Sequence, residues 1–325
     1  MQLTCGDAEQ QGGRKRTRRE IFLSEMEQVV PWKALLALIE PHYPKTRGPG
    51  RQLYRLETLL RIHLLQQWYA LSDPAMEEAL CDTPVMRQFT QLGGLEEIPD
   101  ETTILNFQRL LEKHQLAAAM FKQINAHLAR KGMSLRAGTI VGATIINAPS
   151  STKNDYGKRG PEMHQTKKGS QWYFGMKAHI GVDEHSGLVH HAHCTAANVG
   201  DVTQVQHLLH GGEEEVYGDS GYTGAANRAE LQDIKAAFLI AEKPSKLRVI
   251  ENKCGLKHAR RWEHFKASVR AKGEHPFRVA KRQFGYIKVR YRGLTKDAAQ
   301  VLALFALFAL SNLWMVRRQL LPTAG

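Results

Sequence analysis

The chain is short of everything that would staple or anchor a secreted protein. Its four cysteines, Cys5, Cys81, Cys194 and Cys254, are scattered without paired spacing. That excludes a disulfide framework and a paired-cysteine metal site, and leads us to expect a reducing, cytoplasmic setting. No apolar run is long enough to cross a bilayer. The longest, Val301 to Val316, is broken by Ser311 and Asn312 and reads as a buried helix. The N-terminus is polar and then basic, so no secretory signal is expected. Internal repeats are absent too.

Acidic residues are scarce in one segment above all. From Lys243 to Arg292 there are sixteen Lys and Arg against only Glu251, Glu263 and Glu274. Elsewhere basic and acidic residues balance at 29 each, so this segment carries the whole net charge of +13. Clustered charge of that kind suits a polyanion, nucleic acid before membrane lipid.

Residues 1–20 are Gly- and Gln-rich and end in a basic cluster, which reads as a disordered arm. From 21 to 132 the periodicity is helical. Trp32, Leu35, Leu36, Leu38 and Ile39 make one apolar stripe, and Leu56 to Trp68 make a second. Asp73 before Pro74 is expected to cap a third helix, and Asp100 a fourth running to Lys131. Short helices ahead of a second domain suggest a helix-turn-helix-type DNA reader, with a structural bundle as the alternative.

After Gly132 the period changes. Strands are expected at Gly138–Ile146, Trp172–Val182, Leu188–Thr195, Glu215–Gly218 and Phe238–Glu242, with helices over Val202–Leu209 and Ala225–Lys235. Three strands, then helix, strand, helix, strand and C-terminal helices is the order of a ribonuclease H-like α/β domain, here residues 133–325.

Two acids in this region have spacing that suggests chemistry. Asp219 leaves the fourth strand inside Gly218-Asp219-Ser220-Gly221-Tyr222, whose small residues would admit a phosphate backbone. Arg270, Glu274 and Lys281 fall within roughly 40° of one another on a helix, with Arg278 just off that stripe. A carboxylate among cations on one face suits a divalent metal held against phosphates; a solvated basic helix is the plainer alternative. Pro276 is expected to put Glu274 at a kink or in the turn before a helix.

Arg270-x3-Glu274-x6-Lys281 is similar to the C-terminal signature of DDE transposases of bacterial insertion sequences, closest to the group numbered five. The resemblance runs from about Ile21 to Arg318. Its markers are Leu53–Tyr69, Asp100–Leu111, Ala148–Asn154, Pro161–Asp183, Asp219–Gly224 and Glu274–Gly285. The tyrosine often found three before the arginine is Ala267 here. The resemblance implies an all-α end-recognition domain before a ribonuclease H-like catalytic domain (a mixed sheet flanked by helices), in a bacterial, nucleoid-associated protein. It implies Mg²⁺ or Mn²⁺ on Asp219 and Glu274. It also implies phosphate contacts from Arg270, Arg278, Lys281, Arg282, Lys167 and Lys168, and a homo-oligomer on double-stranded DNA, at terminal inverted repeats and target.

One departure is large. The family's first acid stands mid-strand in a Val-Asp-Ala-Thr type of motif, and this chain has Val141-Gly142-Ala143-Thr144. Glycine offers no ligand, so the resemblance implies a transposase impaired in DNA cleavage and strand transfer. The alternative is a catalytically inactive DNA-binding protein that occupies element ends or inhibits an active copy. Asn147 has the opposite strand parity from position 142, and Asp183 and Asp201 are possible substitutes without spacing to recommend them. His190, His191, His193 and Cys194 are expected to be structural, since alternation would part them. Glu162, His164, Lys167 and Lys168 could approach DNA, with a solvated loop as the alternative; Trp172 and Tyr173 could stack an unpaired base, but one of them is expected in the core.

Overall fold

Thr17 and Glu20 start the described fold. Each bonds the other's backbone N–H in a capping box that opens α1, Arg18–Val29, so Arg18 and Arg19 are helical rather than part of an arm. The computed structural model describes residues 15–45, 52–93, 96–133, 138–148, 163–288 and 296–321, and for 296–306 the backbone alone. The arm as far as Arg14, together with Glu162, Arg290 and Arg292, lies outside the described residues.

Six more helices follow: α2 (Trp32–Ile39), α3 (Leu56–Tyr69), α4 (Asp73–Asp82), α5 (Pro84–Phe89), α6 (Glu101–Lys113) and α7 (Leu116–Arg130). Asp100 caps α6 through Thr103 N as its position leads one to expect. Two expectations need correction. Ser72, not Asp73, caps α4, because the Asp73 carboxylate is taken by Gln66 and Gln108 from neighbouring helices. The long helix after Asp100 is in fact two, broken at Gln115 in the left-handed region (φ 51°). Helix α3 is buried on every side from Thr58 to Trp68, which makes it the bundle's centre. A DNA-reading surface would therefore have to lie on the helices around it.

Arg61 shows how that burial is sustained. Its guanidinium lies over the Trp32 ring at 4.1 Å and is gripped by Glu27 and Glu57. It also donates to the Phe89 carbonyl at 3.0 Å. Arg61→Met would keep the volume but leave that carbonyl unpaired and two carboxylates facing each other. Both glutamates reach water, so the expected loss is below the full cost of breaking a buried pair. We expect about 2 kcal/mol, read from urea unfolding.

The second part is a six-stranded mixed sheet: β1 (Gly138–Asn147), β2 (His164–Lys168), β3 (Gln171–Asp183), β4 (Val189–Ala196), β5 (Glu215–Gly218) and β6 (Ala237–Ile240). The order is β2-β3-β1-β5-β6, with β4 paired to β3; β1, β5 and β6 are parallel and the β3 pairings antiparallel. The stretch His164–Lys168 is polar and carries no alternation, so by sequence it reads as a loop. It is an edge strand made by a tight hairpin at Gly169, φ 64°. The segment expected as a helix over 225–235 forms only short 3₁₀ turns, as does Asp201–His207.

Strand parity divides the core. Ile140, Ile146, Ala178, Ile180, Val182 and Tyr217 face one large cluster, which continues through Phe277 into the N-terminal helices. Val141, Val216, Val205, Leu208 and Tyr222 face a smaller cluster on the other side. Basic helices follow, α8 (Pro244–Arg248) and α9 (Lys253–Arg270), then α10 (Glu274–Arg278) and α11 (Lys296–Leu320). Helix α11 packs against α7, α1 and β4. Asn312 on it is fully buried; it donates to Val189 O at 2.7 Å and Asn125 Oδ1 at 2.9 Å, and accepts from Val189 N at 2.9 Å. Arg317 pairs with Glu25 of α1 at 2.7 Å. None of the described helices is long and apolar enough to cross a membrane.

Candidate active site

Strand register brings the first two positions together. β1 and β5 run parallel with Ile140 beside Tyr217. Continued by two residues, that ladder would set Asp219 beside Gly142, on the face that Ile140 and Tyr217 share. Asp219 is exposed, just beyond the end of β5, and its Oδ1 accepts from Gly221 N at 2.8 Å.

The third position arrives on a helix of uneven pitch. Helix α9 tightens to 3₁₀ over Ala271–Gly273, resumes as α10 at Glu274, and widens to a π turn over Val279–Gln283. Pro276 sits in the first turn of α10, where its missing N–H costs nothing. Glu274 is thus the first residue of α10, at a change of pitch where the proline leads one to expect a kink, and not in a turn ahead of the helix. A Cβ on Gly273 would stand 2.9 Å from Ile140 Cγ2, so glycine permits the close approach to β1 there. A Cβ on Gly142 would stand 3.4 Å from the Phe277 ring. Position 142 thus looks at the helix whose exposed first residue is Glu274.

Lys281 fixes the two elements together. Its ammonium donates to Thr144 Oγ1 at 2.6 Å and Ile145 O at 3.0 Å, and Thr144 shares the face of Gly142. Burial lowers its pKa, with Lys168 adding to the shift and Glu274 opposing it. Lys168 on the β2–β3 hairpin, Lys281 and Glu274 are thus electrostatic neighbours. Arg278 and Arg282 are exposed, while the half-buried Arg270 has an unpartnered Nε. Lys167 lies 5.9 Å from the ring of Trp172, which is 64% exposed and so is not core.

Of the alternative carboxylates, Asp183 is remote. It pairs with Thr139 at the far end of the sheet and accepts from Ser186 in a turn. Asp201 is close. A Cβ on Gly221 would stand 2.9 Å from Asp219 Oδ1 and 3.9 Å from Asp201 Oδ2. Both carboxylates raise the pKa of buried Tyr222, after the larger effect of its burial. Sequence spacing held no sign of this approach, because Asp201 lies in a 3₁₀ turn under the sheet's other face. Asn147 sits at the end of β1 in a bridge to Lys288.

The histidines form a second, buried group. The expected alternation fails because β4 carries a bulge opposite Gly181 and Val182, which brings His190 Nδ1 within 2.7 Å of His191 Nδ1. Burial pushes His190 down to about 3 and lowers His191; Cys194 is pushed up to about 12 by the same cause.

Two family comparisons decide what this arrangement descends from. The transposase DDE domain matches residues 134–311, more than half the chain. The chain belongs to the DDE transposase family. A second transposase domain (DUF772) matches residues 12–110 of the transposase, over its N-terminal helices. A solved structure described as "Cryo-EM structure of piggyBac transposase synaptic complex with hairpin DNA" aligns over 94% of this chain and 76% of that one. Its identity is 10% and its TM-score 0.47, a likeness too slight to bear on either fold or function.

DDE transposase domains generally depend on divalent metal ions. Among the described residues no three His, Cys, Asp or Glu side chains are grouped to ligate one ion. Of positions 142, 219 and 274 only the last two carry a carboxylate, since glycine offers no ligand.

Proposed function

We propose that this transposase recognises the ends of a bacterial insertion sequence, of the group numbered five, and is impaired in cutting them. The observation that carries the reading is the direction of Gly142. The β1–β5 ladder, continued beyond Ile140 and Tyr217, supports placing position 142 near Asp219, and its Cβ direction is toward Phe277, three residues after Glu274, so we read the missing acid as missing from the centre. In this reading the sheet is a ribonuclease H-like catalytic core. Asp219 and Glu274 are the surviving ligands for Mg²⁺ or Mn²⁺, whose contribution in intact relatives is to activate the attacking oxygen and stabilise the leaving one. Lys281 holds α10 against β1. Arg278 and Arg282, exposed beside Glu274, contact phosphates with Lys167, Lys168 and Arg270, and the protein works as a homo-oligomer on double-stranded DNA. The helices around α3 supply sequence preference.

The phosphate contacts have their own test. Arg278→Gln with Arg282→Gln should flatten the slope of log affinity against log salt by about one unit per lost contact, equally for specific and unrelated duplexes. An unchanged slope would mean that the basic helices serve another polyanion. Cleavage of element ends by the unaltered protein and by Gly142→Asp tests the impairment.

A second reading, a DNA-binding protein that inhibits an active copy, rests on the same glycine. It predicts that adding this chain to an active relative lowers transposition in proportion to its share of the mixture.

A further inference from the structure

Helix α9 stands almost clear of the body. Of its eighteen residues, Lys253 to Arg270, only Lys266 is buried. That lysine is the anchor: its ammonium donates to Ile240 O at 2.7 Å and pairs with Glu263 at 2.5 Å. Glu263 is the helix's only carboxylate, and that pair takes it up. Lys253, Lys257, Arg260 and Arg261 are exposed, and with Leu256 and His264 they line an open hollow along one side. A helix of this length is marginal alone in water, and in proteins it is stabilised by packing a face. Among the described residues only the Lys266 side of α9 is packed, which leaves the rest open to a partner.

Two large rings lie on that open surface. Trp262 and Phe265 are 48% and 44% exposed, and they stack on each other with centroids 5.3 Å apart and planes 17° apart. At about 100° per residue Arg261 falls roughly 40° to the side of Phe265, with the other cations beyond it. A short aromatic patch bordered by cations narrows the choice of partner. A second copy meeting it through the same face would bring the same cations against these, which like charge opposes. A lipid surface calls for an apolar face along the helix, and here the turn before the rings presents the exposed His258. Nucleic acid has both matching features, phosphates for the cations and π faces for the rings. A duplex keeps its base faces inside the stack, so rings on a helix surface reach them where a strand is unpaired.

We propose that α9 seats an unpaired DNA strand, its bases stacked on Trp262 and Phe265 and its phosphates on Lys257, Arg260 and Arg261. Helix α9 runs through the 3₁₀ turn into Glu274, so the rings lie roughly 15–20 Å along the axis from that residue. The seat is separate from Arg278 and Arg282, which follow Glu274 in the chain. It does not involve position 142, so it holds whether or not the chain cuts. This inference rests on the reading that the chain binds DNA. Affinity for paired DNA tests that reading, and the affinity added by an unpaired tail tests this one.

The full chain is titrated at one salt concentration with a fully paired duplex and with the same duplex carrying an unpaired thymine tail. The tail should tighten binding about tenfold. Trp262→Ala with Phe265→Ala should remove that gain and leave affinity for the paired duplex within about twofold. Trp262→Phe with Phe265→Tyr, which keeps both rings, should retain it. In a measurement that needs no variant, 5-iodouracil in the tail, irradiated with the unaltered protein, should cross-link to the peptide that holds Trp262 and Phe265. Equal affinity for tailed and paired DNA would overturn the proposal, as would cross-links to Trp172 in place of those two rings. Suppose instead that the tail gain survives the double alanine change. Lost binding to phosphatidylglycerol vesicles would then assign the rings to lipid, and lost self-association in sedimentation would assign them to a second copy; either result overturns the proposal. A chain that binds no duplex at all would remove the DNA-binding reading, and this inference with it.

Discussion

Gly142→Asp is expected to raise metal-dependent nicking of element ends by about a thousandfold or more. The size follows from what removing one member of a catalytic unit costs: rate losses of several orders of magnitude, with little left for the other members to do alone. Here the other members persist. Asp219 directly follows β5, which pairs with β1 as far as Ile140 and Tyr217, and Glu274 opens the helix whose Phe277 lies over position 142. The surroundings also favour a carboxylate there. The Cβ meets only the edge of Phe277 at 3.4 Å, an ordinary contact, and the Lys281 ammonium on Thr144 lies two residues along the same strand face. A charge introduced at 142 therefore has a cation close by. DNA affinity at matched salt should change little, because the substituted position is half-buried and the basic helices are untouched.

The largest expected effect on stability lies far from that centre. Asn312→Leu should cost about 3 kcal/mol, seen as a lower urea midpoint. The leucine fills a similar volume but orphans the buried Val189 N–H and the Asn125 Oδ1, and each unmade bond carries the desolvation penalty of its group. The Val189 carbonyl keeps a donor in Asn125 Nδ2 at 3.1 Å, which limits the loss. Asn312 ties α11 to both α7 and the sheet, so far-ultraviolet and tryptophan signals should shift together. A shift confined to one probe would mean that the helical bundle and the sheet unfold separately.

The sequence was readable wherever structure depends on near neighbours. The Asp100 cap, the apolar stripe of α2, the alternation of β3 and the change of pitch near Pro276 are all local, and each appears in the fold. What could not be read depends on distant partners. Asp73 has the chemistry of a cap, but Gln66 and Gln108 claim its carboxylate from other helices. The bulge that joins His190 to His191 is set by the pairing of β4 with β3. Strand β2 has no apolar face and exists because a hairpin supplies its partner. Asp201 is the sharpest case: eighteen residues from Asp219 in sequence, it comes near only because a 3₁₀ turn packs under the sheet. The glycine in Val141-Gly142-Ala143-Thr144 is legible in the sequence, and the fold adds that a side chain there would meet Phe277.

The central claim is that this transposase holds DNA ends and cannot cut them well for want of one carboxylate at position 142. The most direct measurement is strand cleavage on a duplex bearing the element's own terminal repeat, in Mg²⁺ and in Mn²⁺, at protein concentrations adjusted to equal DNA occupancy. The account predicts that the unaltered protein occupies the end without appreciable nicking and that Gly142→Asp nicks it in a metal-dependent way. Equal cutting by the two proteins at equal occupancy would contradict it, and would mean that another carboxylate, Asp201 first among them, already completes the centre.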